Sequence, residues 1–217
     1  ADFRLCSILF MRILSVSHAV PEVVQKTQQV FAIMLSAINK YDGMLARFNV
    51  DDKGTIMFAA FGPPPAQHED DAVRAVLCAI EVVQLLKAQQ HRVRVGVTTG
   101  TVFAGSVGNV ERGEYTFYGD TVNMAARLMT NKANTGVLVD EQTCKDMGAE
   151  VESEELPPII VKGRSEPMPV WRPIGRRASG RGKKGSVAAN TRSAERVRLE
   201  TSMRSLRDKG KGGLLLV

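Results

Sequence analysis

An amide and a guanidinium lie four residues apart in the segment YTFYGDTVNMAARLM, as Asn123 and Arg127. Small or apolar residues separate them, and residues four apart on a helix share one face. Such a pair can bind one substrate, the amide through hydrogen bonds and the guanidinium through its fixed charge and planar fork. The structural alternative is a helix cap, for which asparagine is favoured, beside an ordinary surface arginine.

The elements that would position this pair alternate between strand and helix patterns. The patterns predict an apolar strand in RLCSILFMRIL, and a helix in VVQKTQQVFAIMLSAINKY that ends at Asp42-Gly43. A hairpin follows, with the DDKG turn between MLARFNV and TIMFAAF. The second helix, DDAVRAVLCAIEVVQLLKAQQ, has an acidic first turn that suits the helix dipole. Two further strands, VRVGVTTG and TVFAGSVG, are expected around a turn at Gly100.

The resulting order is β-α-β-β-α-β, followed by VLVD, a short helix near EQTCKDM, and closing strands in PPIIVKG and MPVWRP. This order predicts an α+β fold with a ferredoxin-like βαββαβ core, additional C-terminal strands, and an antiparallel sheet with helices on one face. RNA-recognition modules share the plan but carry stacking aromatic residues on the sheet. No such run occurs, and only 6% of the residues are aromatic, so we expect no nucleic-acid partner.

Composition places the chain among ordinary globular proteins. Of its 217 residues, 44% are hydrophobic and 24% are charged, enough for one good-sized domain with extensions. No apolar run approaches the roughly 18 residues that span a bilayer. Cys6, Cys78 and Cys144 form no CxxC pair, which favours a reducing compartment over a disulfide framework or a zinc site. We expect a cytoplasmic location, or the cytoplasmic side of a membrane if the chain is part of a longer one.

The basic charge is concentrated in the C-terminal segment. Residues 175–217 hold 12 Lys/Arg and 3 Asp/Glu, whereas residues 1–174 carry a small acidic excess. We therefore predict one domain at 1–174 and a basic, disordered tail or linker at 175–217, with a short helix as a candidate near its end. Contact with an acidic membrane or nucleic acid, and phosphorylation of Ser179 in RRAS, are alternatives to a solvated linker, which the composition favours.

Four blocks of sequence together resemble the class III nucleotide cyclase domain of adenylyl and guanylyl cyclases: HEDDAVRAVLCAIEV, VRVGVTTGTVFAGSVG, YTFYGDTVNMAARLM and VKGRSEPMPVWRP. The resemblance covers residues 3–173 and is most specific from Arg92 to Met129. It is closest to the second catalytic half of the soluble, bicarbonate-responsive adenylyl cyclases. The resemblance implies conversion of ATP to cyclic AMP and pyrophosphate, at a site between two such domains arranged head to tail.

In this family one half supplies two metal-binding aspartates. The other half supplies a base-recognising pair, an Asn-x-x-x-Arg pair and a phosphate-binding lysine. The resemblance implies that Asn123 orients the ribose and that Arg127 stabilises the α-phosphate in the transition state. Lys162, in IIVKGR, matches the lysine that contacts the terminal phosphates. The alternatives for Lys162 are an exposed lysine at a strand end, and replacement in this role by Arg164.

Thr116 and Lys53 match the base-recognising pair. Thr116 lies seven residues before Asn123, where the bicarbonate-responsive branch carries threonine, and its hydroxyl can accept a hydrogen bond from the adenine amino group. Lys53, in DDKG, would donate to a ring nitrogen. The common family spacing places that lysine two positions earlier, at Asp51. A lysine that simply occupies a hairpin turn is the alternative for Lys53.

Both metal aspartates of the family are replaced in this chain. Arg12 occupies the first position, in FMRI, and Thr55 the second, in GTIMFAAFG. Mg²⁺ prefers carboxylate oxygens, and Asp51 and Asp52 are nearby but out of register. We therefore expect no metal ligand here, and Mg²⁺ or Mn²⁺ held mainly by a complementary cyclase domain that carries both aspartates, in the same or another chain. The alternative is an inactive pseudo-cyclase that acts as a regulatory dimerisation or nucleotide-sensing domain.

Overall fold

A computed structural model describes residues 2–14, 20–51, 54–109, 111 and 113–177. The tail from residue 178 onward, with Ser179, lies outside the described residues, as do Asp52 and Lys53. The described strands are β1 (Asp2–Ile13), β2 (Met44–Asp51), β3 (Gly54–Phe61), β4 (Val93–Gly108), β5 (Gly113–Tyr118), β6 (Val137–Asp140), β7 (Val151–Ile159) and β8 (Met168–Arg176). The described α-helices are α1 (Val20–Lys40), α2 (Asp71–Ala88), α3 (Asp120–Thr130) and α4 (Glu141–Met147).

Alternating apolar side chains in β1 explain why the sheet is covered on both faces. Leu9, Met11 and Ile13 are fully buried on one face, whereas Cys6 and Ile8 are buried on the other. The helices α1 and α2 pack on the first face, as expected for the helices of the βαββαβ core. The structure adds that α3 covers the opposite face. None of the described helices combines the length and the apolarity that crossing a membrane requires.

The strands are arranged in the order β2-β3-β1-β4-β6-β8-β7, and β5 pairs with the C-terminal half of β4. Neighbouring strands are antiparallel except for β4 and β6, which are parallel because the chain crosses over through β5 and α3 between them. The predicted α+β class, with its βαββαβ core and additional C-terminal strands, is confirmed. The predicted hairpin of β2 and β3 is also present, with Asp51 paired to Gly54.

The turn predicted at Gly100 is wrong. β4 runs without a break for 16 residues, and β1 pairs with it from Val93 to Ala104. Gly100 instead allows α3 to approach β4 closely, since a Cβ at Gly100 would lie 2.6 Å from Oγ1 of Thr121 in α3. Because β4 is so long, its C-terminal half can pair with β5. The sequence pattern did not predict β5.

Gly96 allows α3 to rest directly on β4. A Cβ at this position would lie 2.7 Å from the backbone nitrogen of Met129 and would overlap the carbonyl oxygen of Ala125. Both are backbone atoms, so no side-chain rotation could relieve the contact. The contact therefore sets the height of α3 above the sheet, and with it the position of every polar side chain on the helix.

We expect Gly96→Ala to destabilise the domain by about 1–3 kcal/mol, because the added methyl group must push α3 away from β4. Urea unfolding followed by circular dichroism measures the shift in midpoint. Gly175→Ala is the matched control, since a Cβ there meets no atom within 4 Å. Equal midpoints for the two variants would contradict a direct backbone contact between α3 and β4.

Candidate active site

Asn123 and Arg127 both lie on α3, which Gly119 joins to β5. Gly119 has a φ of 149°, a conformation that favours glycine, and it lets the strand lead into the helix with one residue between them. The pair is left on the accessible part of the helix: Asn123 is exposed, and the Arg127 side chain is 31% exposed. The side of α3 that faces the sheet buries Met124, Ala125, Leu128 and Met129.

The turn between β7 and β8 brings Lys162 and Arg164 next to Arg127. Gly163 lies in this turn with a φ of 85°, and a Cβ there would be 3.4 Å from Nη2 and 3.7 Å from Cζ of Arg127. The guanidinium therefore lies against the backbone of the turn, where residue 163 has no side chain to displace it. We call Arg127, Lys162, Gly163 and Arg164 the cationic corner. The structure thus brings together two segments that carry predicted site residues.

Asp120, in the first turn of α3, orients the arginines of the cationic corner. Its carboxylate lies 3.8 Å from Nη1 of Arg127 and 3.4 Å from Nη2 of Arg164. The Asp120 side chain is 66% exposed, so water screens both ion pairs and each adds little stability. Lys162 is exposed and makes no ion pair with the described part of the chain. Lys162 is therefore the cation of this turn that a ligand can recruit without breaking an existing ion pair.

No contact joins Thr116 to the cationic corner within the described residues. Thr116 is partly exposed and pairs with Gly105 on the ladder between β5 and β4. The next residue, Phe117, is buried on the α3 side of the sheet, so the Thr116 side chain projects from the other face of β5. Lys53 lies outside the described residues. Base recognition by these two side chains stays a prediction.

The positions that match the family's metal aspartates do not form a metal site. Thr55 pairs with Ile13, and its Oγ1 is buried without a hydrogen-bond partner among the described residues. Arg12 projects from the opposite face of the sheet, where Arg94 stands directly across from it on β4. No group of three His, Cys, Asp or Glu in the described ranges could hold a metal ion. A hydroxyl and a guanidinium on opposite faces do not fit Mg²⁺, which needs carboxylate oxygens.

A polar cleft of about 290 Å³ adjoins the cationic corner, and Asp120, Asp140 and Arg164 line it. Asp140 caps α4, accepting hydrogen bonds from the Thr143 hydroxyl and, at 3.0 Å, from its backbone nitrogen. Burial raises the pKa of Asp140, although hydrogen bonds from Thr143 oppose the shift. The cleft was not predicted from the sequence. The one available signal was an aspartate directly before EQTCKDM, since aspartate is a favoured helix cap.

Buried hydroxyl groups connect the cap of α4 to the sheet. Oγ1 of Thr143 is hydrogen-bonded to Oγ1 of Thr99 at 3.0 Å. Oγ1 of Thr99 is in turn hydrogen-bonded to Oγ of Ser7 at 2.8 Å. The three side chains come from α4, β4 and β1, and all are buried. Because each hydroxyl is satisfied by another, the series fixes α4 on the sheet and so fixes one wall of the cleft.

The order of elements and the motifs on α3 and the β7–β8 turn match a known family. The model of the "Adenylate and Guanylate cyclase catalytic domain" matches residues 2–172. This chain belongs to that family. The match spans the whole described sheet apart from the end of β8, and it confirms the resemblance that the sequence motifs indicate.

Relatives of this family member include mammalian and bacterial enzymes. Adenylate cyclase type 10 of Rattus norvegicus is 28% identical over 182 residues, which cover 81% of this chain and 11% of that protein. Adenylate cyclase 1 of Rhizobium meliloti is 33% identical over 168 residues, which cover 71% of this chain and 24% of that protein. The chain thus spans about a tenth of the first relative's length and about a quarter of the second's.

Solved structures of cyclases share the fold of this cyclase domain. The adenylyl cyclase CyaB from P. aeruginosa superposes with a TM-score of 0.72 at 25% identity, covering 82% of this chain and 98% of that one. The guanylate cyclase domain of RhGC from Catenaria anguillulae, in complex with GTP, gives a TM-score of 0.69 at 20% identity. The superposition covers 81% of this chain and 100% of that one. The second likeness concerns the fold alone.

Asp140→Asn should become more stable relative to the wild type as the pH rises through the weakly acidic range. The pKa of Asp140 is raised by burial, so its contribution to stability is complete below its ordinary value of 3.8. That contribution is lost as the pH rises through the higher pKa of the folded protein. Asparagine keeps an oxygen that caps α4 but carries no charge.

Free energies of unfolding measured from about pH 4 to about pH 8 test this expectation. Asp140→Ala is the control, because it loses the cap as well as the charge and should therefore stay about 1 kcal/mol less stable than Asp140→Asn at every pH. A stability difference between Asp140→Asn and the wild type that stays constant with pH would show that burial does not raise this pKa.

Proposed function

We propose that this chain is the substrate-binding half of an adenylyl cyclase, which converts ATP to cyclic AMP and pyrophosphate at an interface with a metal-bearing partner cyclase domain. The observation that supports this best is the cationic corner, in which Arg127 lies against Gly163 between Lys162 and Arg164. Asn123 precedes Arg127 by one helical turn on the same helix. The chain covers a small part of its curated relatives, so the activity of a whole protein is part of the proposal.

The reaction fits what these side chains can do. The 3′ oxygen of ATP forms a bond to the α-phosphorus, the bond from that phosphorus to the pyrophosphate oxygen breaks, and the hydroxyl proton is released. Negative charge grows on the α-phosphate and on the leaving pyrophosphate, so Arg127 would stabilise it with a fixed charge and a planar fork. Lys162 would bind the terminal phosphates, and Asn123 would hold the ribose so that the hydroxyl faces the phosphorus.

The proposal assigns the metal ions, Mg²⁺ or Mn²⁺, to the partner domain. They would supply further stabilisation of charge on the phosphates. In this chain Arg12 and Thr55 occupy the two family positions on opposite faces of the sheet, and neither is a carboxylate. A partner with both aspartates would complete one active site. Two copies of this chain would lack the aspartates in both sites.

Adenine as the base and a cytoplasmic location are further parts of the proposal. Both relatives described above are named adenylate cyclases, but guanylate cyclases share the fold, so the fold does not select the base. Thr116 supports adenine because its hydroxyl can accept a hydrogen bond from the adenine amino group. Lys53 would donate a hydrogen bond to a ring nitrogen of the base. A cytoplasmic location accords with ATP as the substrate.

A regulatory cyclase-like domain without turnover is the second candidate, and the replaced metal positions favour it. Such a domain would bind a partner domain or a nucleotide and change the partner's activity. The cationic corner argues against it, because Lys162 remains exposed in the turn whose Gly163 lies against the Arg127 guanidinium. Loss of a single side chain in an active complex separates the two candidates.

We expect Arg127→Ala to lower cyclic AMP formation by about 10²–10³-fold when the chain is mixed with a metal-bearing cyclase domain, Mg²⁺ and ATP. The lost guanidinium would otherwise stabilise charge that develops only in the transition state. Arg176→Ala is the control, since that arginine is exposed at the end of β8 and pairs with Glu150. Unchanged turnover by Arg127→Ala, with partner binding intact, would favour the regulatory domain.

We expect Thr116→Val to lower kcat/KM for ATP roughly tenfold in the same mixed complex, because an adenine amino group would lose its acceptor. Valine keeps the shape of threonine and removes the hydroxyl. Thr116→Ser, which keeps a hydroxyl, should stay close to the wild type. If valine and threonine give the same kcat/KM, Thr116 does not recognise the base, whereas the role of Arg127 would be unaffected.

A further inference from the structure

A second cavity lies at the end of the sheet where β4 begins, and it shares no lining residue with the cationic corner. Its volume is about 220 Å³. Its walls come from the end of α2, the loop that leads into β4, β4 itself, and the loop between α3 and β6. None of its lining residues is acidic, and those that carry or can accept positive charge are Lys87, His91, Arg92 and Arg94.

Arg94 lacks a counter-charge in this cavity. It is half-buried, and within the described ranges it has no hydrogen-bond or ion-pair partner. Arg12 stands directly opposite on β1, and like charges opposite each other on neighbouring strands repel. A half-buried guanidinium without a partner of its own is costly, and no acidic side chain lines this cavity.

Another wall of the cavity is held by buried hydrogen bonds. Asn134 is fully buried, and its side-chain amide makes three hydrogen bonds to backbone groups of β4, α3 and the loop before β6. Lys87 reaches this wall from α2, where its Nζ donates to the carbonyl oxygen of Thr135 at 3.3 Å. Two cations from different elements are therefore placed around one cavity by the fold itself, which lowers the cost of ordering them on binding.

We propose that this cavity binds a small inorganic oxyanion of the phosphate class, phosphate or pyrophosphate, with Arg94 and Lys87 as its principal ligands. Cations that different elements contribute to one cavity suit an anion with several charged oxygens better than a single carboxylate. The volume of about 220 Å³ suits a small ion better than a whole nucleotide, since pockets that enclose drug-sized ligands span roughly 300–1,000 Å³. The site does not depend on the proposed cyclase activity.

The test is an NMR titration of the ¹⁵N-labelled full chain with phosphate and, separately, pyrophosphate, at ionic strength held constant with sodium chloride. We expect saturable shifts of the backbone amides of Val93, Thr135 and Gly136 with at least one of the two anions. Arg94→Gln should weaken this binding at least about tenfold, because hydrogen bonds to charged groups are among the strong ones. Lys87→Gln, on the exposed end of α2, gives a second variant should Arg94→Gln misfold.

Two matched controls isolate the cavity. Arg4→Gln changes an arginine at the other end of β1, paired with Asp2, and should leave the affinity unchanged. Arg127→Ala removes the other proposed phosphate contact and should likewise leave the shifts at Val93, Thr135 and Gly136 intact. Shifts that do not saturate, or that persist unchanged in Arg94→Gln and Lys87→Gln, would overturn the site. So would shifts produced by vesicles containing phosphatidylserine and by neither free anion.

Discussion

The close packing of α3 on β4 is the constraint on which the rest of the structure depends. Gly96 lets the backbone of the helix rest on the backbone of the strand, and Gly100 makes room for Thr121 at the other end of the contact. Asn123 and Arg127 are therefore positioned by the main chain of two elements and not by flexible side chains. The β7–β8 turn meets Arg127 only because α3 is held at this height.

Charge distribution accounts for the proposed division of labour between two cyclase halves. The cationic corner places two arginines and a lysine together, and Asp120 is the carboxylate that pairs with both arginines. Arg12 adds a further positive charge at a position where the family holds a metal aspartate. Under the proposal this chain would receive the phosphates, and the partner would hold the cations that accompany them.

Local patterns were sufficient to predict the βαββαβ core and the placement of Asn123 and Arg127 on one helix. They failed where a residue's role depends on distant segments. From the sequence alone, Gly100 is typical of a turn, whereas in the structure it makes room for Thr121 of α3. β4 therefore continues through Gly100, and its C-terminal half pairs with β5. The contact of Arg127 with Gly163 could not be predicted from spacing, since it depends on how the β7–β8 turn folds back to α3.

The most direct test of the half-site assignment is cyclic AMP formation by this chain paired with two altered partners. One partner lacks its metal aspartates, and the other keeps them but lacks its own Asn-x-x-x-Arg pair. Turnover should disappear with the first partner and persist with the second, because this chain would supply the missing pair through Asn123 and Arg127. Turnover that survives loss of the partner's aspartates, or that requires the partner's own Asn and Arg, would contradict it.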